Sequence, residues 1–514
     1  MRNNTDSKYL YLSGILLAAL ILYLSRLTYS SLWFDETIEY FFSKFMTGSV
    51  PGSIVGRNTS NMYERICSTW QPPLYNVLMY VWLKFFDSEA LFRLAGVLVT
   101  LLGASGLYLA VYNLSGLKWA CAGTLIYLLV PRVAYYALEA AEYNLMLCCE
   151  CWVLYFFIKC VTRKADNISL AGFFISSGLA VYSQYGAAFF ALGLYIVLLC
   201  YSLSDKALVK KIIIMTVITG IAAVLPLVYF FLRPQMINQG IAATSHVPVF
   251  EKGNILYGII KQIRWMLNTG VKLVDNLSVT GIVYNIMKFI PVICACLAVL
   301  ITAFKRERVY RLILAVCAVS WVIYYVSVIT SFYANTPYLK GFGNRYGLFF
   351  VPLWVLVMIY ASSLLCRTLR CKKLCLAMII CFAFVGVCNI YAGWEKENVR
   401  EAVNIWYDRE GFREKILVNI AAESNFYFYM LHDERYNESY KDNIISTEYW
   451  INAKYEELRR NLEAIKIFEL DKFYYIVSHN LRGLETLRQV MKDAGYDGED
   501  ILTGRSVLIH FTRK

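Results

Sequence analysis

The chain has 514 residues, of which 58% are hydrophobic and 17% charged, whereas an ordinary soluble domain is about a quarter charged. Apolar runs of roughly 18 to 25 residues recur along its first three quarters, each about as long as a helix that crosses a bilayer. This composition excludes a soluble enzyme and indicates a polytopic α-helical membrane protein. The net charge of +13 is typical of basic cytoplasmic loops, so no nucleic-acid partner is expected.

The apolar runs predict about eleven membrane spans in chain order. They lie at 9–29, 90–112, 117–137, 143–162, 168–184, 186–204, 209–231, 280–303, 309–332, 346–366 and 374–394. The first run follows a charged start and has no small-residue cleavage site after it. It is therefore interpreted as a retained helix rather than a removed signal peptide.

One apolar segment, "PPLYNVLMYVWLKFF" at 72–86, is only about 15 residues long and short for a crossing. If it does not cross and the N-terminus is cytoplasmic, four short loops rich in Lys and Arg all lie inside, as the positive-inside rule requires. Those loops are 159–164, 204–211, 305–311 and 367–373. The charge pattern therefore predicts that 72–86 is a helix on the outer surface.

The same sidedness places an outer loop at 30–89, with a second amphipathic surface helix at 36–47. Further outer loops are expected around 138–143, at 232–278 and at 333–345. The sequence thus predicts a transmembrane domain over 1–394 with two juxtamembrane helices on its outer side.

The composition becomes charged and polar for about 120 residues after Trp394. Three strand-like pieces and the amphipathic segment "GLETLRQVMKDAGY" predict a small extracytoplasmic α/β domain over 395–514. The strand-like pieces are "KILVNIA", "KFYYIVS" and "SVLIHFT". We find no catalytic motif in this tail, which favours a structural or partner-contacting cap.

The fifteen cysteines and four histidines do not predict a metal site. Most of the cysteines lie inside apolar runs, where Cys behaves as a small hydrophobic residue. The histidines are scattered, and no paired CxxC or HExxH pattern occurs. We therefore expect neither a structural metal nor a disulfide framework.

Polar residues recur at the predicted outer ends of the spans, where buried charge is costly and tends to mark a functional site. An alternative for each residue alone is an interfacial anchor, and this alternative is strongest for Glu142. The acids and the arginine nevertheless converge on one face of the membrane beside two surface helices. The residues are Asp35, Glu36, Gln71, Glu139, Glu142 and Arg345.

Such a set suits group transfer from a lipid-linked phosphate to a hydroxyl. A partly desolvated carboxylate can take the proton of an attacking hydroxyl. A guanidinium presents a planar fork to phosphate oxygens and keeps its charge, so it stabilises a departing phosphate. Aromatic surface helices would hold the lipid tail.

Four segments resemble the membrane-embedded GT-C glycosyltransferases, in the branch of protein O-mannosyltransferases and aminoarabinose lipid A transferases. Gln71 stands where that family usually has His or Lys, and Ala141 replaces a family arginine. The segments occur in the family's order, clearest over 30–160 and 340–362. They are "WFDETIEYFFSKFMTG", "QPPLYNVLMYVWLKFFDSEALFRLAGV", "VPRVAYYALEAAEYNLMLCCECWVLYFFIK" and "NRYGLFFVPLWVLVMIYA".

The resemblance implies the GT-C fold and a polyprenyl-phosphate-sugar donor. It further implies transfer to an acceptor on the outer side and inversion at the anomeric carbon. Asp35 would be the general base on the acceptor hydroxyl, with Glu36 and Glu139 positioning substrate or tuning Asp35. The acceptor is a lipid, a glycan or a protein. No cofactor is implied, although a divalent cation could still bind to the carboxylates.

The resemblance also suggests which residues bind the donor. Arg345, with Tyr346 and Gln71, would hold its phosphate. The remaining candidate substrate-binding residues are Arg93, Glu142 and Tyr143. The basic loops and the lack of a disulfide pattern fit a bacterial inner membrane, with the site and the tail outside.

Two other classes of function remain open from the sequence. A flippase for a lipid-linked sugar would also be polytopic, but transporters place ionisable groups near the midplane and often in repeated halves. A catalytically inactive GT-C-like subunit of a glycan-assembly system would keep the fold without the chemistry. The substitutions at Gln71 and Ala141 are compatible with that alternative.

Overall fold

The computed structural model describes most of the chain. The predicted span 280–303 and most of the outer loops 232–278 and 333–345 lie outside the described residues. The described ranges are 3–46, 59–69, 71–162, 165–238, 307–329, 345–369, 372–392, 396–447, 454–478 and 481–514.

Up to residue 392 the regular structure of the described residues is almost entirely helical. The helices are α1 (Asn3–Leu24), α2 (Phe34–Lys44), α3 (Met62–Cys67), α4 (Pro73–Leu83), α5 (Glu89–Ser115), α6 (Leu117–Leu129), α7 (Pro131–Ala137), α8 (Tyr143–Thr162), α9 (Asn167–Ser183), α10 (Ala187–Ser202), α11 (Lys206–Thr219), α12 (Arg233–Asn238), α13 (Arg308–Ile329), α14 (Val351–Leu369) and α15 (Lys372–Ala392). Two π-helical turns, Gly220–Val224 and Leu227–Leu232, join α11 to α12. A 3₁₀ turn, Arg345–Phe350, precedes α14.

Several of these helices are membrane spans by length and composition. Five in the described residues qualify, and six if the bent pair α6–α7 forms one span. The chain is therefore a multi-pass membrane protein, while the total of about eleven spans stays a prediction. The five are Ser7–Leu24, Glu89–Ser115, Tyr143–Thr162, Lys206–Asn238 and Gly347–Thr368.

The predicted straight span 117–137 is instead two helices, α6 and α7, that meet at an angle of 65°. Val130, between them, has an extended ψ of 124°. Pro131 explains the bend, because its ring disfavours the helical conformation of the preceding residue and it has no N–H to donate.

The predicted span 209–231 lies within one continuous helix, Lys206–Asn238. Its π-helical turns flank Pro226. A proline inside a helix removes one backbone hydrogen bond, and a wider π turn is one way of accommodating the loss.

Both predicted surface helices are present as short helices. The segment 72–86 contains α4, whose 11 residues extend only about 16 Å, roughly half the thickness of the hydrocarbon core. The segment predicted at 36–47 forms α2, which begins two residues earlier, at Phe34. Asp35 and Glu36 therefore lie inside the first turn of α2 rather than before it.

The described residues of the tail form four α-helices and five strands. The helices are α16 (Val399–Glu410), α17 (Ile420–Leu431), α18 (Tyr455–Ala464) and α19 (Leu484–Asp493). The strands are β1 (Ile416–Val418), β2 (Ile444–Ser446), β3 (Lys472–Ser478), β4 (Tyr496–Leu502) and β5 (Ser506–Arg513). β3 and β5 coincide with two of the strand-like pieces of the sequence, and α19 lies within the amphipathic segment. β1 covers only the middle of the piece "KILVNIA", whose last two residues begin α17.

The five strands form one sheet in the order β2-β1-β3-β5-β4. β1 pairs in parallel with β2 and β3, whereas β5 pairs antiparallel with β3 and β4. On one face, Tyr475 and Val477 of β3 form an apolar core with residues of α18 and α19. Because side chains alternate along a strand, Tyr474 and Ile476 point to the opposite face, and α16 and α17 also contact β3.

The chain divides into two compact units. The first contains Met1–Arg26, Ile66–Tyr75 and Arg93–Ala392. The second contains the rest of the predicted outer loop, Leu27–Arg65 and Asn76–Phe92, together with the tail Gly393–Lys514. The segment that carries Asp35 and Glu36 is therefore in the same unit as the tail.

Candidate active site

The first turn of α2 carries two acids whose surroundings differ. Asp35 is partly exposed, whereas Glu36 is fully buried. Both lie at the positive end of the helix dipole, which stabilises negative charge within the first turn. Of the two acids, Asp35 is the one with solvent-accessible surface.

Glu36 is held by two contacts inside the second unit. Its Oε2 accepts the Trp33 N–H at 3.2 Å, in the manner of a capping-box glutamate. The same oxygen lies 2.8 Å from Nζ of Lys396, whose side chain is only 6% exposed. A buried ion pair leaves a costly lone charge when one partner is removed, so Glu36 and Lys396 depend on each other.

Glu397 and Asn425 stabilise the chain just before α2. Glu397 Oε2 accepts the Phe34 N–H at 2.8 Å and the Asn425 side-chain amide at 2.6 Å. Asn425 also donates to the carbonyl of Leu32 at 3.3 Å. Its Oδ1 accepts the hydroxyl of Thr37 at 2.6 Å. One buried asparagine thus connects both sides of the Asp35 turn.

Further contacts from the tail involve residues 28–37. Arg400 donates to the carbonyls of Thr28 and Ser30 at 3.3 and 3.2 Å. The hydroxyl of Tyr429 accepts the Leu32 N–H. The backbone around Asp35 is therefore bound mainly by side chains more than 350 residues later in the sequence.

The far end of α2 is held by Asp87. Its carboxylate accepts the Tyr40 hydroxyl at 2.7 Å, pairs with Lys44, and lies 3.6 Å from His432 Nε2. Burial acts to raise the pKa of Asp87, but hydrogen bonds from His432, Lys44 and Tyr40 outweigh it and hold that pKa below the usual range. Burial, and then the hydrogen bond to Asp87, raise the pKa of Tyr40.

The first unit contains the second acid pair, in the turn between α7 and α8. Glu139 and Glu142 are 1% and 3% exposed. Asn144 stabilises the turn by donating to the carbonyl of Glu139 at 3.0 Å and to that of Tyr136. A Cβ on Gly96 of α5 would lie 2.6 Å from Asn144 Nδ2. This close packing allows the turn to bury both glutamates.

Two other candidate residues of the first unit are also buried. Tyr143, the first residue of α8, packs against Tyr136 with the ring centroids 4.8 Å apart and the ring planes tilted by 52°. Arg93, the fifth residue of α5, is 1% exposed. Tyr143 belongs to a helix that flanks the acidic turn, and α5, which carries Arg93, packs against that turn at Gly96.

Gln71 lies in a segment that is hydrogen-bonded to Gln235 of α12. Its backbone carbonyl accepts the side-chain amide of Gln235 at 2.7 Å, and Gln235 also donates to the carbonyl of Ile66 at 3.0 Å. The Tyr185 hydroxyl donates to Gln235 Oε1 at 2.7 Å. The backbone of Gln71 is therefore fixed by its contacts with Gln235.

Arg345 and Tyr346 begin the 3₁₀ turn before α14. Their side chains are outside the described residues, so their proposed role toward the donor phosphate stays a prediction. Among the residues that the structure describes, no group of three or more His, Cys, Asp and Glu could hold a metal ion.

The structure therefore brings Asp35 and Glu36 together with residues that the sequence did not single out. Lys396, Glu397 and Asn425 are the most prominent of these. One signal was available: "ESN" is a polar run in the otherwise apolar α17 segment "IAAESNFYFYML". No short-range pattern connects that run to residues 32–37.

A family model described as dolichyl-phosphate-mannose-protein mannosyltransferase matches residues 70–230. The structure resembles that of ArnT from Cupriavidus metallidurans in the apo state, with 12% identity, 97% of each chain covered and a TM-score of 0.54. It also resembles the oligosaccharyltransferase of Archaeoglobus fulgidus in complex with Zn and sulfate. That match has 11% identity, covers 90% of this chain and 67% of the other, and has a TM-score of 0.52.

At these identities the two structures establish the fold alone. The resemblance to GT-C glycosyltransferases predicted from the sequence motifs is confirmed by the match to the family model and by the shared fold. A search of the curated proteins found no match to this sequence.

Proposed function

We propose that the chain transfers a sugar from a polyprenyl-phosphate-linked donor to an acceptor hydroxyl on the outer face of the membrane. The observation that carries the proposal is the partial exposure of Asp35 beside Glu36, whose side chain is buried and hydrogen-bonded. A general base must be accessible to the acceptor and held in a fixed orientation. The match of residues 70–230 to a mannosyltransferase family supports the same chemistry.

In the proposed reaction, Asp35 takes the proton of the acceptor hydroxyl while the oxygen attacks the anomeric carbon. The bond from that carbon to the donor phosphate breaks, and the phosphate leaves with the bonding electrons. Attack from the face opposite the phosphate inverts the configuration. Asp35 is then protonated and returns its proton to solvent.

The other candidate residues have supporting roles in this proposal. Glu36 holds the first turn of α2 through Trp33 and Lys396. Glu139 positions substrate, and Glu142, Tyr143 and Arg93 complete a substrate-binding set. Arg345, with Tyr346 and Gln71, binds the donor phosphate, whose developing charge a guanidinium stabilises.

The test is transfer by the purified protein reconstituted with polyprenyl-phosphate sugars and hydroxyl acceptors. We expect product of inverted configuration from the parent, and a rate lower by about 10³-fold in Asp35→Asn, because general-base catalysis typically contributes 10²–10⁴-fold. Donor binding should be kept in the variant.

Two outcomes would overturn the proposal. Equal transfer by Asp35→Asn and the parent would exclude Asp35 as the base. Movement of the donor between leaflets without any transfer would favour the flippase alternative.

A further inference from the structure

We propose that the C-terminal tail is part of the catalytic machinery, with Lys396, Glu397 and Asn425 as positioning residues for Asp35. This inference rests on the proposed function, because it concerns the same carboxylate. It differs from the role expected of a cap, which would cover the site without determining its geometry.

The backbone of residues 30–34 forms several of its hydrogen bonds with side chains of the tail. Residues 30–34 belong to no helix until Phe34, so their N–H and C=O groups require other partners. Side chains of the tail supply several of them. The contacts are Arg400 to the Ser30 carbonyl, Tyr429 to the Leu32 N–H, Asn425 to the Leu32 carbonyl and Glu397 to the Phe34 N–H.

Helix α17 carries two buried polar residues that lie against α2. Ser424 and Asn425 are 1% and 0% exposed in a helix whose other residues are mostly apolar. Buried polar groups are costly unless they are hydrogen-bonded. Both lie against Thr37, whose hydroxyl is 2.6 Å from Asn425 Oδ1 and 2.8 Å from Ser424 Oγ. These polar residues of α17 are therefore matched to α2.

The carboxylates of Glu36 and Glu397, near Asp35, both make contacts that hold the turn. Glu36 is paired with Lys396, and a single oxygen of Glu397 accepts two hydrogen bonds. Both neighbouring carboxylates are thus committed to holding the turn. Asp35 is the acid of the turn whose side chain reaches the surface, so the network fixes the position from which it acts.

A positioning role predicts a particular kinetic effect. A displacement of about 1 Å can lower the rate of a catalysed step by about 10²-fold, while binding of the lipid donor elsewhere is unaffected. Removing the carboxylate of Glu397 takes away the oxygen that accepts hydrogen bonds from the Phe34 N–H and the Asn425 side-chain amide. A glutamine at this position keeps one carbonyl oxygen that can accept both bonds.

The experiment compares Glu397→Ala with Glu397→Gln in the full-length reconstituted protein. We expect Glu397→Ala to lower kcat by about 30- to 100-fold, with the donor KM within about twofold of the parent. Glu397→Gln should stay within about threefold of the parent in kcat. A matched control is Arg488→Gln, which removes an exposed tail ion pair to Asp500 of 2.7 Å and should leave both constants unchanged.

Three outcomes would overturn the inference. They are full activity of a folded Glu397→Ala protein, equal impairment of Glu397→Gln and Glu397→Ala, and a loss in Arg488→Gln as large as that in Glu397→Ala. If Glu397→Ala does not fold, Thr37→Val provides the same test, because it keeps the shape of the side chain and removes the hydroxyl. A kcat lower by about fivefold at unchanged KM would support a positioning role, since one hydrogen bond contributes about 1 kcal/mol. An unchanged kcat in Thr37→Val would contradict that role.

Asp35→Asn separates failure of the inference from failure of the proposed function. If Asp35→Asn is inactive while Glu397→Ala is fully active, the tail does not position the base, although Asp35 remains the base. If Asp35→Asn is as active as the parent, the proposed function itself fails.

Discussion

The two acid pairs of this protein are built in different ways. Glu139 and Glu142 lie in a tight turn that Asn144, two residues after Glu142, stabilises by a hydrogen bond to the Glu139 carbonyl. Asp35 and Glu36 lie in a turn whose contacts come from the tail. Three of the four acids are almost fully buried, and Asp35 is the exception. Exposure therefore distinguishes the candidate base from the three buried acids.

The largest expected effect on stability concerns the pair between Glu36 and Lys396. Lys396→Met would leave a fully buried carboxylate without its charge partner, which typically costs 3–5 kcal/mol, so we expect a loss of about that size. The double variant Glu36→Gln/Lys396→Met should recover most of it, because the amide oxygen can still accept the Trp33 N–H. Thermal unfolding in detergent measures both, and equal losses in the single and double variants would contradict the account.

A smaller effect is expected where Gly96 packs against the turn of the other acid pair. A methyl group at this position would lie 3.2 Å from the Glu139 carbonyl and 3.3 Å from the Ala137 carbonyl. Gly96→Ala should therefore destabilise the protein by about 1–3 kcal/mol, as overpacking does. Gly14→Ala is the control, because a Cβ there meets nothing within 4 Å. Equal unfolding temperatures for the two variants would show that the turn is less tightly packed than described.

The smallest effect concerns Asp87 at the far end of α2 and depends on pH. The pKa of Asp87 in the folded protein lies below the usual value. The ionised carboxylate therefore stabilises the fold at any pH above its unfolded pKa of about 3.9. This stabilisation is lost as the pH falls through the folded pKa. Asp87→Asn should thus be less stable than the parent at pH 7 and equal to it in strong acid. Because the side chain is 38% exposed, the difference at pH 7 should be about 0.5–1 kcal/mol. An undiminished difference at pH 2 would contradict this assignment.

Much of the helical part could be predicted because apolar length is a local signal. The helices at 143–162 and 90–112, for example, follow from composition alone, and α8 matches its predicted bounds. The bend at Pro131 was not predicted, although a proline disfavours continuation of a helix. The start of α2 was harder, because its capping glutamate bonds to Trp33, and tryptophan is not a typical N-cap residue.

The candidate site was predictable only in part, for a physical reason. The position of Asp35 followed from its place at the end of an apolar run. The contacts that hold it are between residues more than 350 positions apart, such as Phe34 with Glu397 and Thr37 with Asn425. Sequence periodicity carries no information about such tertiary contacts, so the tail was interpreted as a cap.

The most direct test of the central claim is one transfer assay on four acid-to-amide variants. They are Asp35→Asn, Glu36→Gln, Glu139→Gln and Glu142→Gln, each compared with the parent for kcat, donor KM and folding. The account predicts the largest loss in Asp35→Asn, about 10³-fold, and losses at least about tenfold smaller in the others. A loss of that size in Glu139→Gln, with Asp35→Asn still active, would contradict it.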